Sequence, residues 1–210
     1  MEKLDDLFSK KPLKRENMIC HSGGAKGADS VFEELSTQYG IKTHAYSWKT
    51  KYHESPNKVE ITESDFKEGV TEINRANKIL NRFGISKYMS LLARNWAQVK
   101  YSKQVFAVGT IIKPGKKDTK GYYNKSKMEI VSGGTGYAIQ MAINNEREVY
   151  IFEQNLGKWF RWSYNSLKFV ELASCPKITE ENFAGIGTRE INPSGVRAIR
   201  ELFKNSFGEI

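Results

Sequence analysis

Three stretches of this 210-residue chain place glycines where an apolar strand-like run gives way to a helix-like one. They are SGGAKGAD (22–29), SGGTGYAIQMA (132–142) and AGIGTREINPSG (184–195). Glycine at such a turn lets the backbone come close to a ligand and reach positive φ. The helix that follows presents unpaired amides that favour an anion, typically a phosphate. Ser22, Gly23, Gly24 and Gly27 are therefore candidates to hold a phosphate or a ribose. Asp29 either accepts a bond from a ribose hydroxyl or caps its helix. Gly133, Gly134, Thr135 and Gly136 form a second cradle, and Gly185, Gly187, Thr188 and Arg189 a third, with Arg189 placed to pair an anion. Arg94, Asn95 and Gln98 share one helical neighbourhood, with Arg94 and Gln98 four residues apart. Trp48 either stacks on a base or fills the core, and Tyr122 and Tyr123 sit in a basic stretch that could close over a ligand. None of the three turns fits GxxxxGK[ST], and none fits GxGxxG with an acid about 20 residues on, so neither a P-loop nor an ordinary dinucleotide fold is expected.

No convincing carboxylate pair suggests acid–base catalysis, and no catalytic residue is assigned. His21, His44 and His53 lack metal spacing, and Cys20 and Cys175 make neither a zinc site nor a disulfide framework. No metal and no cofactor are expected.

The elements that must position these groups follow from periodicity. Strands are expected over 17–22, 41–48, 104–112, 148–154 and 182–187, and helices over 28–39, 63–80, 86–101, 136–145 and from Pro193 to about Lys204. A polar loop is expected over 49–60, a mobile loop over 113–128, and a hairpin or edge strands over 158–163 and 167–172. Strands alternating with helices predict an α/β fold: a Rossmann-like parallel sheet flanked by helices, with an added β-hairpin near 158–172. No linker divides the chain, so residues 1–210 are expected to form one domain.

Hydrophobic residues are 39% and charged residues 27%, enough apolar material for a core and too little charge for a disordered polymer. No run approaches the length a membrane span needs. The N-terminal stretch MEKLDDLFSKKPLKRENM lacks the apolar core of a secretory signal, which makes a reducing cytosol the expected compartment. The net charge of +9 is dispersed over Lys10, Lys11, Lys14 and Arg15, then Lys49 and Lys51, then Lys113 to Lys127. It suits an anionic small ligand, and nucleic acid is the weaker reading.

SGGAKGAD resembles the SGGARGAD-type turn of the SLOG superfamily, which includes DNA-processing protein A and the Lonely-guy phosphoribohydrolases. GGTGYAIQMA followed by EVYIFEQ is similar to that superfamily's second turn and next strand. LLARNWAQV (91–99) and FAGIGTREINPSG resemble the ARNxxQV and YAGIGSRxTP segments of phage-encoded members. In the family the GIGSR strand comes first. Its place here, at 182–205, implies a circular permutation, or else a segment that completes a partner's site. The resemblance implies a pocket at the sheet's carboxyl edge for a nucleotide-derived ligand: an ADP-ribose-like molecule, cyclic ADP-ribose or a cyclic nucleotide. It also implies that Arg94 belongs to the site. In the Lonely-guy enzymes a glutamate ends the second turn, and Gln140 stands at that position here, which favours a binder over an enzyme. Phage-encoded relatives suggest a protein that sequesters a host immune signal in the host cytoplasm. A nucleotide N-glycosidase using another acid, such as Asp29 or Glu153, and a single-stranded DNA binder are the alternatives. A homo-oligomer is compatible with the resemblance.

Overall fold

The computed structural model describes residues 13–50 and 53–210. Lys10, Lys11 and Lys51, part of the basic patches, lie outside the described residues. Ten strands and five helices follow one another among those described: β1 (Ile19–Ser22), α1 (Ala28–Gln38), β2 (Lys42–Ser47), β3 (Lys58–Glu60), α2 (Glu63–Leu80), α3 (Met89–Lys100), β4 (Gln104–Gly109), β5 (Ile111–Ile112), β6 (Ile130–Val131), α4 (Thr135–Asn144), β7 (Glu148–Glu153), β8 (Lys158–Ser163), β9 (Lys168–Glu171), β10 (Asn182–Gly187) and α5 (Pro193–Phe207).

The fold is α/β and Rossmann-like. Eight strands form one sheet in the order β3-β2-β1-β10-β4-β7-β8-β9. The first six run parallel, and β8 and β9 add the expected hairpin antiparallel to the β7 edge. Every residue of β4 is buried, as befits a central parallel strand covered on both faces. Helices α2, α3 and α4 pack together on one face, and α1 and α5 on the other. Each layer closes its own core: Ile73, Leu92, Val105 and Met141 under the first, Phe32, Phe106, Phe183 and Phe203 under the second.

Local chemistry sets several boundaries. Thr62 and Asp65 form a capping box at the start of α2. Asn192 caps α5 by accepting from the Gly195 amide, with Pro193 at the first helical position. Other boundaries depart from expectation. The stretch 49–60 is not all loop, because 58–60 pair with Ala45–Ser47 as the edge strand β3. The run 104–112 is not one strand. It breaks after Gly109, and Ile111–Ile112 pair antiparallel with Ile130–Val131 in a separate ribbon. The loop 113–128 is folded: Lys117 and Tyr123 form a bridge, and the buried Asn124 amide donates to the carbonyls of Ile112 and Met128. Helix α5 continues three residues past Lys204.

The C-terminal strand lies in the middle of the sheet. β10 pairs with β1 through Cys20↔Phe183 and with β4 through Phe106↔Gly185, all within one chain. It then feeds α5 on one face, while the chain beyond β4 leads to α4 on the other. Adjacent strands whose connections leave to opposite faces open a crevice at their carboxyl ends.

Candidate functional site

A cleft of about 410 Å³ fills that crevice. Its lining includes Ala25 and Asp29 from the first turn, Gly133, Gly134 and Thr135 from the second, and Gly187, Thr188 and Arg189 from the third. Helix α3 adds Arg94, Asn95 and Gln98 above an apolar shoulder of Leu91 and Leu92. The three turns are thus brought together although the first lies more than 100 residues before the second in the chain.

The glycines divide into two kinds. At Gly133 and Gly134 an added Cβ would meet nothing within 4 Å, so these positions face open space. Gly133 also holds φ at +63°, where a side chain is strained. The other glycines serve packing. A Cβ on Gly185 would collide with the Phe32 ring, and one on Gly136 with the Val131 carbonyl. On Gly27 it would lie 2.5 Å from the Thr188 carbonyl oxygen, and on Gly187 2.6 Å from the Ala28 Cβ. Gly27 and Gly187 therefore let the first and third turns touch, and Ala28 N donates to Thr188 O across the contact. Gly24 is covered by His53. Ser22 is fully buried and bonded inward: its hydroxyl donates to Glu33 Oε1 at 2.7 Å and accepts from the Gly24 amide. Ser22, Gly24, Gly27, Gly136 and Gly185 are accordingly corrected from cleft residues to framework. Trp48 is corrected too. It stacks on Phe66 with centroids 4.4 Å apart and does not line the cleft, because β1 and β10 stand between β2 and β4 in the sheet.

One corner is the most polar. Asp29 opens α1, and its Oδ1 accepts from the Gly187 amide at 3.0 Å, tying the first turn to the third. Its Oδ2 accepts from the Ala25 amide only at 3.4 Å. The position of a Gly23 Cβ would lie 2.7 Å from Asp29 Oδ2, 2.8 Å from Gln98 Nε2 and 3.6 Å from an Arg94 guanidinium nitrogen. Gly23 thus carries no side chain where three polar groups converge. Burial raises the Asp29 carboxyl from an ordinary 3.8 to about 7, against the opposing pull of Arg94 and the two amides. Burial likewise lowers the Arg94 guanidinium from its usual range. Arg94 Nε and Gln98 Oε1 are buried without a hydrogen-bond partner among the described residues. Unpaired buried polar atoms are costly, so their clustering at a cleft marks a place for a ligand.

The second turn is held from behind. Arg82 donates to the carbonyls of both Gly133 and Val131. Its guanidinium also lies 4.8 Å from the centroid of Tyr122 and 5.2 Å from that of Tyr137. Tyr122 is therefore engaged with Arg82 and the Leu80 carbonyl, not with the cleft. Tyr123 is absent from the lining as well. Lys120 and Thr119 of the same strap do line it, and Lys120 Nζ meets Glu190 of the third turn at 3.0 Å. Arg82, Lys120, Gln154 and Asn155 were not singled out from sequence. Lys120 belonged to a flagged basic run, whereas Arg82 follows the left-handed Asn81 that ends α2 and gives no local signal.

Gln140 is buried in α4, where its amide donates to Asn144 Oδ1, and it does not line the cleft. Glu153 is also outside it. Its buried carboxylate accepts from the amides of Ile111 and Asn155, joining the ends of β4 and β7. Among the described residues no His, Cys, Asp and Glu side chains group as metal ligands, and no helix is long and apolar enough to cross a membrane.

Searches against protein-family models, curated proteins and solved structures found no match to this chain.

Proposed function

We propose that the cleft binds a nucleotide-derived ligand, of the ADP-ribose, cyclic ADP-ribose or cyclic nucleotide kind. The observation that carries this reading is the opposition of two features across one crevice. Gly133 and Gly134 open the N-terminus of α4, where exposed amides suit a phosphate. The Asp29, Arg94 and Gln98 corner offers buried acceptors and donors of the kind a sugar or base uses. Arg94, Arg189 and Lys120 supply positive charge, and a volume of about 410 Å³ is within the range of small-ligand sites.

Binding without turnover is the favoured form. Gln140 lies outside the cleft and Glu153 is tied to two amides, so neither serves as the acid of a Lonely-guy reaction. The second reading, a nucleotide N-glycosidase, is favoured by Asp29 alone, a cleft carboxyl raised to about 7 and so able to hold a proton near neutrality. A central β10 fed by the C-terminal part of the chain fits the permuted SLOG-like arrangement. With that kinship, the protein is a phage-encoded sponge for a host immune nucleotide.

The test is calorimetric titration with ADP-ribose, cyclic ADP-ribose, cyclic AMP and AMP, followed by chromatography of each mixture. A bound ligand recovered intact supports the sponge. Release of free base, abolished by Asp29→Asn, supports the glycosidase. Failure of the whole panel, with salt-sensitive binding of single-stranded DNA instead, overturns both.

A further inference from the structure

Resting on the nucleotide reading, we propose that the corner formed by Asp29, Gln98 and Arg94 beside Gly23 recognises the vicinal cis-diol of a ribose, so that within that reading the cleft selects ribonucleotide derivatives with both the 2′- and 3′-hydroxyls free over their deoxy and 3′,5′-cyclic forms. The argument is one of matching donors to acceptors. Gln98 is 1% exposed, and its Oε1 is an acceptor without a partner among the described residues. Asp29 is 5% exposed, and its Oδ2 has only the long bond from Ala25 N. Both need a donor. Arg94 Nε is a buried donor without a partner, and Gln98 Nε2 reaches only Asn95 Oδ1, at 3.4 Å. Both need an acceptor. Asp29 Oδ2, Gln98 Nε2 and an Arg94 guanidinium nitrogen lie 2.7, 2.8 and 3.6 Å from where a Gly23 Cβ would stand, and all three residues line the cleft.

A phosphate does not fit this set. It offers acceptors alone, would leave Gln98 Oε1 unpaired, and would face the Asp29 carboxyl. A metal cation would meet the Arg94 guanidinium. A hydroxyl both donates and accepts, and two adjacent hydroxyls complete all four groups. Their position relative to the phosphate is also set by the chain. Asn95 accepts from Gln98 Nε2 and donates to the Gly134 carbonyl at 3.4 Å, so one side chain spans from the diol corner to the open glycine turn.

The test compares AMP with 2′-deoxy-AMP and 3′-deoxy-AMP by calorimetry, with inorganic phosphate as a fourth probe. The unsubstituted protein should bind AMP about 10- to 100-fold more tightly than either deoxy form, because each missing hydroxyl leaves buried groups unpaired. Asp29→Asn keeps an oxygen for the Gly187 amide but turns the other atom into a donor. Gln98→Met keeps the volume and removes the polar atoms. Each should lower AMP affinity to the level of the deoxy forms and leave the deoxy forms unchanged. The comparison in the unsubstituted protein does not depend on how the variants fold. Equal binding of AMP and its deoxy forms overturns the diol site while leaving the anion cleft standing. No binding of AMP, phosphate, ADP-ribose, cyclic ADP-ribose or cyclic AMP overturns the nucleotide reading and the diol site together.

Discussion

Asp29→Asn separates the energetics of the cleft from its ligand. Folding takes this carboxyl out of water and raises it from 3.8 to about 7. The native value lies above the unfolded one, so ionisation favours the unfolded chain. The penalty is absent below pH 3.8, grows as pH rises toward 7, and is constant above. At about 1.4 kcal/mol per pH unit, the interval amounts to about 4 kcal/mol. Asparagine carries no such penalty and can still accept from the Gly187 amide. It gives up the long contact with the Ala25 amide, about 1 kcal/mol or less. The variant should therefore be more stable than the parent by about 3 kcal/mol at pH 8, which for a chain of this size is about 6–12 °C in Tm. Near pH 4 the advantage should vanish or reverse. Urea denaturation of both proteins at pH 4, 6 and 8 measures this directly. A variant that is less stable at pH 8, with a difference independent of pH, would refute the reasoning. It would mean that Arg94 and the two amides hold the carboxylate as a satisfied anion. A gain in stability with a loss of ribonucleotide binding would mark Asp29 as a group kept for function at a cost in stability.

Four other outcomes follow from the geometry. Gly134→Leu places its side chain in open space, so melts should change by less than about 0.5 kcal/mol while calorimetry shows AMP affinity falling more than tenfold. Gly185→Ala should do the reverse, destabilising by about 1–3 kcal/mol through collision with Phe32 but leaving affinity intact at temperatures where the protein is folded. Arg82→Ala should weaken phosphate binding by about tenfold without any contact to the ligand, because the carbonyls of Val131 and Gly133 lose their donor; Arg82→Lys should restore little, since lysine lacks the two-pronged geometry. Gln140→Glu should release no adenine from AMP on chromatography, because position 140 faces Asn144 and not the cleft.

Much of the architecture was legible locally. The alternation of apolar strands with amphipathic helices predicted an α/β sheet, and Thr62 and Pro193 marked the starts of α2 and α5 from sequence chemistry alone. The glycine turns were visible as strand-to-helix junctions. What stayed hidden depends on partners far along the chain. β3 is three residues in a polar stretch, made a strand only by pairing with β2. The split at Gly109 depends on Ile111–Ile112 finding Ile130–Val131. Local periodicity carries no information about such pairings, since the partner strand supplies the hydrogen bonds.

The same distinction runs through the site. Residue types and spacing determined that backbone amides would gather at helix starts and that Arg94 and Gln98 would share a helix face. They could not separate Gly134, which meets empty space, from Gly185, which meets Phe32, because a glycine's role depends on what its missing Cβ would touch. Nor could they place Ser22 on Glu33 or Trp48 on Phe66. Only the insertion of β10 between β1 and β4 brought the third turn beside the first two. Only the packing of α3 across that crevice buried Arg94 and Gln98 beside Asp29 with bonds left to make. Sequence supplied the polar groups, and tertiary packing decided which of them found partners within the fold and which were left for a ligand.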